Sequence, residues 1–108
     1  MTREQQARLN HRSGYNCSQA VSVAFADALG LSPVEAMKAA PTPRSEGGKC
    51  GAYLAGLALL SELKPAAAEE CDQRFREENG AVECALLRRK GCTDLVGCAA
   101  RLVEELMK

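Results

Sequence analysis

The 108-residue chain has no tryptophan and only two tyrosines and two phenylalanines. Nucleic-acid sites that stack bases need such rings, so this scarcity argues against a base-stacking platform. A charge excess is missing too, with 14 basic residues against 14 acidic ones and a sequence pI near 6.6. Binders of nucleic acid or anionic membrane usually carry a basic surplus, so neither is expected as the main partner. The longest apolar or glycine run, Cys50 to Leu60, is eleven residues, and a membrane span needs about 20. The opening stretch MTREQQARLNHRSG lacks the apolar core of a secretory signal. These absences predict a soluble, cytoplasmic protein that forms one domain over residues 1–108, a length able to bury a modest core.

Close cysteine spacings are also missing. No Cys-x-x-Cys occurs, which removes the thioredoxin-like motif, and no paired spacing of the zinc-ribbon kind is present. The single histidine, His11, lies in a polar stretch and reads as a solvated helix residue. Glu69, Glu70, Glu77, Glu78, Glu104 and Glu105 read as solvated helix faces.

What the chain has in abundance is cysteine, six in 108 residues. Without a secretory signal, that number points to metal or redox chemistry more than to a structural disulfide framework. Alanine and leucine are plentiful and β-branched runs are short, which predicts an all-α bundle of five to six helices. Thr2 and Gln5 form a capping-box pair for a first helix ending near Gly14. Asn16 and Gln19 do the same for a second, with Ala20, Val21, Ala24, Phe25, Ala28 and Leu29 at helical spacing and Gly30 as its stop. Ser32-Pro33 opens a third, and Pro41 to Lys49 reads as irregular. The fourth, from about Cys50 to Leu63, is apolar nearly all round and is the predicted central, buried element. A fifth is expected from about Ala66 to Leu87, with Cys71, Phe75, Val82 and Leu86 along one side. The last spans about Thr93 to Met107 and buries Leu95, Ala99, Leu102, Val103 and Leu106.

Cys17, Cys50 and Cys92 fall at predicted helix N-termini, where unpaired N–H groups and a positive partial charge favour thiolate. Lys49, and Arg88, Arg89 and Lys90 before Cys92, would push the same way. Cys84 falls near the C-terminal end of its predicted helix, where the dipole gives no help. Cys71 and Cys98 lie on apolar faces and read as small core residues. Gly51 and Gly56 sit inside the fourth helix. A close helix crossing would explain Gly56, and Gly51 would let a second sulfur or a substrate approach the backbone. Intervals of 33, 34 and 8 positions between Cys17, Cys50, Cys84 and Cys92 mean that any shared site is assembled by tertiary packing.

NCSQAV at 16–21, CGAYLAG at 50–56, GAVECALL at 80–87 and CTDLV at 92–96 together resemble the C_GCAxxG_C_C family of small bacterial and archaeal proteins. The resemblance covers about Asn16 to the C-terminus, and CGAYLAG fits the family's Cys-Gly-Ala-x-x-Gly motif at each position. It implies a helical domain with redox activity whose four cysteines are Cys17, Cys50, Cys84 and Cys92, leaving Cys71 and Cys98 outside the pattern. Two chemistries follow. In the first, the protein acts as a thiol–disulfide oxidoreductase without a cofactor. A low-pKa Cys50 attacks, and Cys17, Cys84 or Cys92 resolves the mixed disulfide. Its partner is a redox protein or a small thiol or disulfide, and self-association into a homo-oligomer is compatible with the sequence. In the second, the same four cysteines hold an iron–sulfur cluster or zinc in an electron-transfer or structural module. A helical interaction domain with packing cysteines is the third alternative.

Overall fold

The computed structural model describes all 108 residues and is entirely helical apart from turns and one isolated β-bridge. Nine α-helical segments follow one another: α1 (Arg3–Arg12), α2 (Cys17–Ala24), α3 (Ala26–Leu29), α4 (Pro33–Ala39), α5 (Ser45–Gly48), α6 (Gly51–Leu63), α7 (Ala68–Asn79), α8 (Cys84–Leu87) and α9 (Cys92–Leu106). Short 3-10 turns precede α7 and α9. No helix is long and apolar enough to cross a membrane.

The predicted caps form with both arms. Thr2 with Gln5, Asn16 with Gln19 and Ser32 with Glu35 each exchange side-chain and backbone hydrogen bonds, fixing the starts of α1, α2 and α4. The class is as expected but the segments outnumber the five to six predicted, for three local reasons. The second helix breaks at Phe25, and the Ala24 carbonyl beside the break accepts a hydrogen bond from Arg3 Nη1 at 2.8 Å. The Arg3 guanidinium also lies 4.8 Å from the centre of the buried Phe25 ring and pairs with Asp27. The fifth helix stops at Asn79 because Gly80 turns left-handed at φ 82°. The chain then restarts as α8, with Cys84 at its first position.

The third reason is α5, which is less a helix than a tight left-handed turn. Arg44, Glu46, Gly47 and Gly48 have φ of 65°, 52°, 85° and 83°. Glycine adopts this region freely, but at Arg44 and Glu46 it costs about 1–2 kcal/mol each. The Lys49 N–H reaches back to the Ser45 carbonyl at 3.2 Å, and the Arg44 N–H donates to the Lys49 carbonyl at 2.9 Å.

As predicted, α6 is the inner helix. Residues Gly51 to Gly56, Leu59 and Leu60 are buried, and α6 packs on α2, α7 and α9. Each large apolar side chain taken from water here contributes about 1.5–3 kcal/mol before conformational entropy is set against it. Helix α1 packs on α2 and α9. Buried Asn10 donates to the Ala20 carbonyl at 3.1 Å, and Arg8 lies across the face of Gly97 while pairing with Asp94 and Glu4. Helices α7 and α9 run antiparallel, as Arg74–Glu105 and Arg101–Glu78 show. The break at Gly80 changes which side of the following turn faces inward. Val82 and Leu87 are buried, whereas Leu86, expected on the apolar stripe, is 67 % exposed.

Candidate functional site

Four helix starts are assembled near one another. Cys17 is the first residue of α2, Cys50 caps α6, Cys84 is the first residue of α8 and Cys92 the first of α9. Cys84 therefore sits at a helix N-terminus, contrary to its expected place near a C-terminal end. The Asn79-Gly80 dipeptide, a common turn signal, would have located the break. An antiparallel bridge joins Lys49 to Glu83, and the Cys50 N–H donates to the Val82 carbonyl at 2.7 Å. This pairing brings the starts of α6 and α8 side by side.

The closest packing is between Cys17 and the start of α6. A methyl group on Gly51 would lie 2.5 Å from the Cys17 sulfur and 3.0 Å from Pro43 Cβ. No side chain fits there, so the glycine after Cys50 leaves room for a second sulfur at the backbone. The N–H groups of Ser18, Gly51 and Ala52 favour the Cys17 thiolate, and those of Tyr53 and Ala52 favour the Cys50 thiolate. The positive end of α6 thus favours the thiolate form of both. Cys92 is near enough to Cys17, and Cys84 to Cys50, for their charges to interact.

Burial opposes the helix ends and prevails. Cys50 is only 4 % exposed, and desolvation pushes its thiol up to about 11 despite the two N–H groups. The expectation of a low-pKa Cys50 is therefore corrected: the sulfur is buried, and burial outweighs the helix-end N–H groups. Burial, reinforced by Cys92, also raises Cys17, although its side chain is half-buried. Cys84 and Cys92 are half-buried as well, and all six cysteines are free thiols.

No three His, Cys, Asp or Glu side chains converge as a metal ion requires. The residues present therefore do not fit the tetrahedral site that the metal reading of the four cysteines needs.

Residues 15–106 match the family model described as "Putative redox-active protein (C_GCAxxG_C_C)". The chain belongs to this family. The residue that accommodates the Cys17 sulfur is the glycine of CGAYLAG, within the matched span. No curated protein and no solved structure matches the chain.

The remaining sulfurs lie elsewhere. Cys71 is buried, raised to about 11 by desolvation, and packs near Gly56. Cys98 is half-buried, with Asn79 Nδ2 at 3.6 Å and an Arg101 guanidinium nitrogen at 3.8 Å. In the antiparallel register of α7 and α9, Cys98 faces Asn79 and is near enough to Cys71 for their charges to interact. His11 is not free in solvent: its Nδ1 is hydrogen-bonded to Thr93 Oγ1 at 2.8 Å, which ties α1 to the start of α9 beside Cys92. That link spans 82 positions, and no local pattern announces it.

Proposed function

We propose that this protein performs thiol–disulfide exchange with Cys17 as the outer, attacking residue and Cys50 as the inner, resolving one. The observation that carries this reading is the approach of the Cys17 sulfur to the backbone directly after Cys50, made possible by the missing side chain of Gly51. In the reduced protein, the Cys17 thiolate attacks one sulfur of a substrate disulfide. A Cys17–substrate disulfide forms, the substrate S–S bond breaks, and the first thiolate leaves with the electron pair and takes up a proton. Cys50 then loses its proton and attacks the Cys17 sulfur, and the second substrate thiolate departs. The substrate disulfide has been reduced to two thiols and the protein dithiol oxidised to a disulfide. A reduced thiol partner restores the protein by the reverse exchange.

The raised Cys50 thiol suits the resolving role. Kept protonated and buried, it does not compete for substrate, and it becomes a nucleophile only beside a disulfide already formed on Cys17. Cys92 flanks the pair on the Cys17 side and Cys84 on the Cys50 side, where further exchange can draw the disulfide outward.

Trapping tests the assignment. Incubated with a small neutral disulfide, Cys50→Ser should accumulate a stable mixed disulfide on Cys17, seen by peptide mass spectrometry. Cys17→Ser should lose turnover. Turnover retained in Cys17→Ser, or adducts found on Cys50 first, would overturn the assignment. Chelation should leave the melting temperature of the wild-type protein unchanged; a large drop would favour a metal bound to the four cysteines.

A further inference from the structure

Beside these cysteines is a surface whose charge and greasiness the exchange chemistry does not use. The chain is neutral overall, yet Arg88, Arg89 and Lys90 form the exposed 3-10 turn that joins Cys84's helix to Cys92. The seven ion pairs of the molecule employ Arg3, Arg8, Arg74, Arg76 and Arg101. Arg88 and Arg89 have no acidic partner. Lys90 is fixed against the end of α7, its Nζ 3.2 Å from the Glu78 carbonyl, which holds the turn in place.

Asp94 is paired with Arg8, and Glu83 folds back to its neighbour, its Oε1 3.4 Å from the Val82 N–H. Lys49 stands across the bridge from Glu83, near enough to Asp72 for their charges to interact. Directly before the basic turn is Leu86, 67 % exposed, with exposed Ala85 beside it and Cys84 within the same helical turn. A leucine held out among unpaired arginines satisfies nothing within the chain.

We infer that this basic turn, with Leu86 before it, docks a protein partner through a segment that pairs acidic side chains with an apolar one, delivering its cysteine or disulfide to the site. The inference rests on the exchange reading above and names the class of its substrate. The charges select an acidic partner and speed its arrival. Leu86 supplies the desolvated contact that a small charged disulfide could not use.

Two synthetic peptides of equal length test it, each with one cysteine joined to thionitrobenzoate and one leucine, flanked either by Asp and Glu or by Lys and Arg. The protein thiolate attacks the peptide sulfur, the peptide–aryl S–S bond breaks, and the coloured thionitrobenzoate anion leaves with the electron pair. At low salt the acidic peptide should react about ten- to a hundredfold faster than the basic one, a gap that shrinks in about 0.5 M salt. Arg88→Glu/Arg89→Glu should abolish or reverse the preference, while the rate with a small neutral disulfide stays as in wild type. Leu86→Ser should slow the acidic peptide by about three- to tenfold and leave the neutral disulfide unaffected. Equal rates for both peptides, or a preference that survives charge reversal, would overturn the docking inference while neutral exchange persists. An acidic preference indifferent to Leu86→Ser would replace the protein partner with a small anionic disulfide. Failure of every disulfide, neutral included, would overturn the exchange reading and this inference together.

Discussion

At the scale of single residues, the site depends on an atom that is missing. Gly51 occupies the first position of α6, and a Cβ there would collide with the Cys17 sulfur and with Pro43, whose ring cannot bend aside. Gly51→Ala should therefore destabilise the fold by about 1–3 kcal/mol through overpacking, more than the gain of at most about 1 kcal/mol in helix propensity. It should also slow formation of the Cys17–Cys50 disulfide on mild oxidation. Chemical denaturation and thiol counting check the two effects; wild-type stability and oxidation rate in the Gly51→Ala variant would contradict the packing argument. The same scale shows what a sequence reading sees and misses. That a glycine beside Cys50 could admit a second sulfur was legible. That Cys50 itself would be buried was not, because helix-end electrostatics is local and readable, whereas desolvation depends on everything packed above the residue.

Among the elements, capping chemistry was the most legible feature, since a cap is written within four residues. Two capping boxes, the Ser32 cap and the apolar α6 lie where the sequence predicts them, and Glu35 completes a third box at Ser32. The breaks at Phe25 and Gly80 were less accessible. The first is relieved by Arg3, far away in the chain, and the second shifts the phase of a stripe that otherwise reads as continuous. That shift moved Cys84 to a helix start and put Leu86 in solvent. Gly56 differs in another way. The sequence suggested a close crossing, but a methyl group there would meet Val103, Cys71 and Ala99 at 3.6, 3.8 and 3.9 Å, ordinary contact distances. Gly56→Ala should consequently stabilise the protein by about 0.5–1 kcal/mol through the backbone of α6. A lower denaturation midpoint would show that α6 has no such space.

For the whole molecule, the buried thiols set a limit at alkaline pH. Cys50 and Cys71 are both pushed up to about 11 from an ordinary 9.0. Below about pH 9 each is protonated in folded and unfolded chains alike, and the full stability is present. Between about pH 9 and 11 the unfolded chain ionises first, so stability falls with rising pH, by about 2–3 kcal/mol for each thiol. Urea midpoints measured from about pH 8 to 11 should decline over this window, and Cys71→Ala should make the decline shallower. A flat profile would contradict the burial of these sulfurs.

The juxtaposition of Cys17 with the start of α6 also bears on chain topology. In the dithiol form the polypeptide is an open string whose α2 and α6 touch only by packing. Joining the two sulfurs turns residues 17 to 50 into a ring that contains α3, α4 and the left-handed turn. Each proposed half-reaction therefore opens or closes a covalent loop around a third of the molecule. The electron pair carried and the freedom of that loop become one thermodynamic quantity.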